Sequence, residues 1–170
     1  CTFCDWNSGF GNKTTRRKNT YQEEIDLFHR LKLYDLYLGD ANTGQYQEDI
    51  EMFEYFAYVN LNKGANFKLK GNYSKLRKDN NLKLFHLLAR GNLTENGFMT
   101  AVQDINPQIL KNIDRPSISW DDHVKIINEL FEAYPHLHSH IQLIQGLPGQ
   151  TVESWRETLR EVCKNPVTLQ

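Results

Sequence analysis

The chain has 170 residues, 39% of them apolar and 24% charged, with a formal net charge of -1. That length and balance suit one folded domain, or most of one, and argue against a long disordered region. The near-zero charge argues against a broad phosphate-binding surface, and no stretch approaches the roughly 18 apolar residues of a membrane span.

Cys1-Thr2-Phe3-Cys4 opens the chain, and two thiolates at this spacing can share one metal centre. A chain that begins on Cys and not Met reads as a piece of a longer one, and the first question it raises is whether the missing piece holds a third thiolate. Three cysteines with two of them in four residues cannot build a disulfide framework. The C-x-x-C spacing therefore points to metal or redox chemistry in a reducing compartment, and the cytoplasm is the expected location. Cys163 stands alone in a helical pattern and reads as a small buried or half-buried apolar residue. Lys13, Arg16, Arg17 and Lys18 form a basic run that reads first as a solvated loop, with a phosphate or nucleic-acid contact as the less favoured reading.

Thr20-Tyr21-Gln22-Glu23 has the form of a capping box, and Ile25, Leu27, Phe28 and Leu31 follow at helical spacing, predicting a helix to about Leu33. Residues 34–38 form a short apolar run ended by Gly39-Asp40-Ala41-Asn42-Thr43-Gly44, a buried strand and its turn. Ile50, Phe53, Phe56 and Ala57 place a second helix over 47–60, residues 67–69 make a weaker strand, and Leu84, Leu87 and Leu88 place a third helix over 80–90. The scheme then repeats. A strand over 98–103 leads to a short helix over 107–113 with Pro107 in its first turn, where a missing amide proton costs nothing. Ser119 starts a helix through Phe131, Pro135 marks its exit, and residues 140–144 form a strand. Gly146-Leu147-Pro148-Gly149 turns, and Thr151 opens a last helix that ends before Pro166.

Four strands separated by helices imply parallel pairing and an α/β fold. An incomplete parallel barrel and a doubly wound open sheet both generate this pattern. In either, ligands bind at the C-terminal ends of the strands, where Asp40 and Asn42, Gln103 and Asp104, and residues 146–150 all fall. With a further strand expected before the cysteine loop, the partial barrel is the favoured architecture.

Four segments in order carry a resemblance. Cys1-Thr2-Phe3-Cys4-Asp5-Trp6 resembles the last two-thirds of the C-x-x-x-C-x-x-C loop of the radical S-adenosylmethionine (radical SAM) superfamily, including the aromatic before the final cysteine. Residues 38–44 resemble the variant, found in cobalamin-associated members, of the motif that meets the methionine amino group. Residues 100–107, with Leu110, Ile113 and Arg115, are similar to the family's stretch of Gln, Ser or Asp, Asn-Pro, Leu, Ile and Arg. Residues 143–151 match its glycine-rich adenine-side motif. Each segment alone is common, and their joint order across nearly the whole chain is what makes the match specific.

The resemblance implies a core domain over 1–170, a partial β/α barrel without its first strand and its last β/α unit. It implies that Cys1 and Cys4, with a cysteine four positions before Cys1, ligate a 4Fe-4S cluster with one iron left open. S-adenosylmethionine would chelate that iron and be cleaved reductively to a 5′-deoxyadenosyl radical, which takes hydrogen from a substrate. An electron donor such as flavodoxin or ferredoxin is implied, and so is cobalamin on a domain outside this chain, with methyl transfer as the leading reaction. The substrate is not specified, and the piece alone is expected to be inactive.

Phe3 would then shield the cluster, and Trp6 would do the same or serve as plain core. Asp40 and Asn42, beside Gly39, would accept hydrogen bonds from the methionine ammonium, against a plain turn. Gln103 would meet the ribose or carboxylate, against a helix cap, and Arg115 would pair the carboxylate as a fork, against a surface arginine. Gly146 and Gly149 would let backbone approach the adenine, against a turn with positive φ. Gln150 departs from the Glu common in this motif, which puts an acidic role there in doubt, and Lys75 falls where related proteins carry a polar residue. His136, His138 and His140 alternate like a metal tract and read as a solvated face. A non-catalytic α/β module with zinc on its C-x-x-C is the second reading. A thioredoxin-like redox protein is disfavoured because no strand precedes the pair.

Overall fold

The computed structural model describes residues 20–169. Cys1, Phe3, Cys4, Trp6 and the basic run lie outside them, as do all expectations that fall on those residues. Helices and strands alternate: α1 (Tyr21–Arg30), β1 (Asp35–Tyr37), α2 (Gln47–Lys63), β2 (Lys68–Lys70), α3 (Lys78–Arg90), β3 (Phe98–Gln103), α4 (Pro107–Asn112), α5 (Trp120–Ala133), β4 (Ser139–Leu143), α6 (Val152–Val162) and β5 (Val167–Leu169). Every strand pairing is parallel, in one two-stranded sheet of order β1-β2 and one three-stranded sheet of order β3-β4-β5. The α/β class is as expected. There are five strands among the described residues, not four: β5 is three residues long, too short for alternation to announce it.

Packing follows the sequence pattern. Leu36 and Leu69, paired in register, face the main core, while Asp35 and Tyr37 alternate to the other side of β1. From α2, Ile50, Phe53, Phe56 and Ala57 are buried as their helical stripe requires, and α3 adds Leu84, Phe85 and Leu88. That core holds Leu69 of β2 together with Phe98 of β3, so it spans both sheets. Aromatic edges knit it: Tyr73, Phe85 and Phe98 sit in sequence with ring centroids 5.1 and 5.3 Å apart. Full burial of one such side chain contributes about 1.5–3 kcal/mol. A smaller cluster of Val102, Ile127, Ile141 and Val162 closes the helix side of the second sheet.

Caps fix several helix starts. Ser119 Oγ accepts from the Asp122 amide at 3.2 Å, and Thr151 Oγ1 accepts from the Ser154 amide at 3.1 Å while Ser154 Oγ accepts from the Thr151 amide at 2.9 Å. Thr20 does occupy the position before α1, yet it makes no side-chain cap bond there, because its φ of -107° and ψ of 3° are not the extended geometry a cap needs. The expected capping box is therefore not formed. Cys163 is also corrected: it follows α6 as the C-cap residue and is exposed, off the apolar stripe that ends at Val162. Where β3 enters beside β4, the backbones approach so closely that a Cβ on Gly97, at φ +100°, would lie 2.0 Å from the His138 carbonyl oxygen.

Candidate functional site

The polar residues expected at the strand ends lie on three loops. From β1, Gly39, Asp40 and Asn42 leave on an exposed segment in which Asp40 Oδ1 accepts from the Asn42 amide at 2.8 Å, a local Asx turn. The far end of this loop is pinned by Asp49, whose Oδ2 accepts from the Gly44 and Tyr46 amides at 2.8 and 3.1 Å. Burial raises the Asp49 pKa despite those two bonds. Thr43 joins the loop to the one after β2, accepting from Ser74 and donating to Asn72 through the backbone at 2.8 and 2.9 Å. Beneath this joint, Thr43 Oγ1 and Asn81 Oδ1 are buried without a hydrogen-bond partner among the described residues. Neither was foreseen, since nothing in the sequence distinguishes them from ordinary loop and helix polar residues.

At the end of β3 the register with β4 shifts between Ala101 and Gln103, and Gln103 takes a φ of +72°. Its side chain is buried, and its carbonyl accepts from the Ile144 amide at 2.9 Å. A non-glycine residue held there carries local strain, of the kind that collects at functional sites. The adjacent Asp104, only 1% exposed, is a hub. Its Oδ1 accepts from the Asn106 amide at 2.8 Å and from Thr158 Oγ1 at 3.1 Å, and its Oδ2 accepts from Gln150 Nε2 at 2.6 Å. The sequence marked Asp104 only as a polar residue on the rim. Capping of α4 falls instead to Asn106, whose Oδ1 accepts from the Gln108 amide at 2.9 Å, so Gln103 is not the cap.

Arg115, on the α4–α5 connection, is buried and not a surface arginine, and its guanidinium donates to the Ala101 carbonyl of β3. Buried His123 lies within its field. Burial first, and Arg115 second, push the His123 pKa down to about 4, against an opposing pull from Asp122. Beside them is a cleft of about 740 Å³ with Ile105, Leu110, Ile118 and Trp120 in its walls and Asp104 and Arg115 among its polar lining.

On the β4–α6 loop, Gly146 has φ +86° and open space where a side chain would stand. Gly149, at φ +85°, is crowded, because a Cβ there would lie 2.5 Å from Asn112 Nδ2, which donates to the Pro148 carbonyl at 2.9 Å. Gln150 spans the turn, accepting from the Gly146 amide at 2.6 Å and donating to Asp104.

Gln103, Gly146, Gly149 and Arg115 are thus brought to one end of the three-stranded sheet. The segment with Gly39, Asp40 and Asn42 belongs to the other sheet, and the two halves are joined by the Ile118 amide donating to the Lys75 carbonyl at 2.8 Å. Among the histidines, His136 and His138 are exposed, the His138 and His140 rings are 6.4 Å apart, and a His140 ring nitrogen meets the Asn96 carbonyl at 2.6 Å. No group of three or more His, Cys, Asp or Glu that could hold a metal is present among the described residues, nor is any helix there long and apolar enough to cross a membrane.

Comparison with known proteins adds three relatives and one family. The model of the radical SAM superfamily matches residues 1–162. A cobalamin-dependent radical SAM methyltransferase (TokK) of Streptomyces tokunonensis is 30% identical over 160 residues, which are 92% of this chain and 23% of that protein. A 2-(S-pantetheinyl)-carbapenam-3-carboxylate methyltransferase of Streptantibioticus cattleyicolor is 27% identical over 162 residues, again 92% of the chain and 23% of the relative. A tRNA-2-methylthio-N(6)-dimethylallyladenosine synthase of Clostridium tetani is 23% identical over 164 residues, 95% of the chain and 36% of the relative. The chain therefore spans about a quarter to a third of the length of these proteins.

Proposed function

Because the chain belongs to the radical SAM superfamily, a family of enzymes with a 4Fe-4S cluster and S-adenosylmethionine as cofactors, we propose that it is the cofactor-binding core of a cobalamin-dependent radical methyltransferase. On this reading residues 1–170 are one core domain, and the two parallel sheets are neighbouring parts of a partial barrel whose strand ends face the cofactors. Methyl transfer, cobalamin on another domain, an electron donor such as flavodoxin or ferredoxin, and a cytoplasmic setting complete the proposal. Thiolate ligands stay reduced in that compartment.

One observation carries it. Gln103 stands buried and strained, at φ +72°, at the C-terminal end of a parallel strand inside the family match. On the same sheet the residues suit S-adenosylmethionine chemically: Gly146 leaves open space over backbone and Arg115 is a fixed cation, while Gly39, after β1 of the other sheet, leaves open space as well. Cys1 and Cys4 would hold the cluster with a further cysteine, and Phe3 would keep water from it. When bound, the cluster would supply the electron that breaks the sulfonium S–C5′ bond, giving methionine and a 5′-deoxyadenosyl radical. Gly39, Asp40 and Asn42 would receive the ammonium, Gln103 a ribose hydroxyl or the carboxylate, and Gly146 and Gly149 the adenine. Arg115 would orient the carboxylate while its bond to Ala101 keeps it docked on β3.

The test is anaerobic reconstitution of the full-length protein, with iron, sulfide and zinc analysis, followed by reduction in the presence of S-adenosylmethionine. The expected result is brown protein with close to four irons per cluster and release of 5′-deoxyadenosine. Colourless protein loaded with zinc would overturn the proposal in favour of a non-catalytic module.

A further inference from the structure

We infer that Gln150 and Asp104 form an amide–carboxylate latch that positions the Gly146–Gly149 loop, so that Gln150 is a positioning residue for the adenine side of S-adenosylmethionine; this rests on the function proposed above. Gln150 uses both ends of its side-chain amide. Its Oε1 accepts from the Gly146 amide at 2.6 Å, and its Nε2 donates to Asp104 Oδ2 at 2.6 Å and to the Ile144 carbonyl at 3.3 Å. Asp104 in turn is anchored to the start of α4 by the Asn106 amide and to α6 by Thr158. The turn that would touch adenine is therefore held through one side chain to the end of β3, the element that carries Gln103.

The chemistry at position 150 is constrained on both sides. A group there must accept from Gly146 and donate to a buried carboxylate, which an amide does and an ionised carboxylate cannot. Gln150→Glu would set two carboxyl oxygens at hydrogen-bond distance in a buried place, and such a pair titrates as a unit that holds one proton. Exchanging the partners restores the latch itself: with Asp104→Asn added, residue 104 donates to residue 150 and still accepts from Asn106 and Thr158, while residue 150 still accepts from Gly146 and gives up only the longer donation to the Ile144 carbonyl. The charged groups that share the cleft with Asp104 are Lys111 of α4, Asp114 and Arg115 on the α4–α5 connection, and Asp121 in the first turn of α5. The contacts from α6 and the β4–α6 loop, through Thr158, Gln150 and Gly146, are not titratable.

The experiment measures S-adenosylmethionine affinity by calorimetry on reconstituted, full-length wild type, Gln150→Glu and the Gln150→Glu/Asp104→Asn exchange from pH 5.5 to 8, with thermal midpoints of each without ligand. The latch predicts that Gln150→Glu binds about tenfold more weakly than wild type at pH 8 and recovers to within about twofold at pH 5.5, a tenfold change being the equivalent of one pK unit of coupling. The exchange variant should bind like wild type across the range, and it stays informative should the single variant fold poorly. Equal affinity of Gln150→Glu and wild type at every pH would overturn the inference, as would an exchange variant no better than the single one. Absence of binding by wild type itself would instead overturn the proposed function, and this inference with it.

Discussion

Gln103 shows how a single residue can be held against its own preference. The left-handed region costs an ordinary residue about 1–2 kcal/mol, and Gly enters it without that penalty. Gln103→Gly is accordingly expected to raise stability in urea by about 1 kcal/mol while weakening S-adenosylmethionine binding, since the side chain proposed to meet the ligand is gone. Urea midpoints of the two proteins, with calorimetry of the full-length enzyme, check both halves. A variant that loses stability would show that the buried side chain outweighs the strain. At this scale the sequence was informative where chemistry is local. Asp40 and Asn42 form the turn that their residue types favour, and the glycines of the G-L-P-G run both hold positive φ. It was uninformative where partners are distant. Asp104 meets Gln150 and Thr158 from 46 and 54 positions away, and no spacing rule reaches that far.

Among the elements, Asn60 has the most concentrated role. From α2 its amide takes the Phe67 N–H at 2.8 Å and donates to the carbonyls of Phe67, Gly91 and Asn92 at 3.1, 3.0 and 3.3 Å. One side chain thus stitches α2 to the start of β2 and to the turn that leads into β3. Asn60→Ala strips partners from several part-buried backbone groups, and a loss of about 2–4 kcal/mol is expected. Chemical denaturation should show it as a lower midpoint with an unchanged slope. The helices were readable to within a few residues because their stripes and caps are local, as at Ser119 and Thr151. Where backbone geometry overrode the side-chain pattern, at Thr20, the reading failed. The short strand β5 failed for another reason: its pairing with β4 is purely tertiary, with Val167 opposite Ser139.

For the molecule as a whole, the buried His123 makes stability depend on pH in a predictable direction. Its pKa in the fold is about 4, against 6.5 for an unperturbed histidine, because the cationic form would lose solvent and face Arg115. Between these values the unfolded chain binds the proton and the folded one does not, so protons favour unfolding. The contribution is fully present above pH 6.5 and declines as pH falls toward 4, by roughly 3 kcal/mol at most. Asp122 pulls the other way, and carboxylates that titrate near the bottom of the window add their own slope below it. The midpoint of urea unfolding is therefore expected to fall steadily from pH 7 to pH 4.5, and His123→Gln, which removes the titrating ring, should flatten that fall. A His123→Gln protein with the wild-type slope would assign the acid sensitivity to the carboxylates. Arg115 lines the cleft at the end of β3 and its charge reaches His123, so a proton on the ring would repel the guanidinium proposed to orient the S-adenosylmethionine carboxylate. Because the folded ring takes its proton only near pH 4, ligand affinity should hold from pH 7 to pH 4.5 while the urea midpoint falls, and any weakening that His123→Gln removes should come only near pH 4.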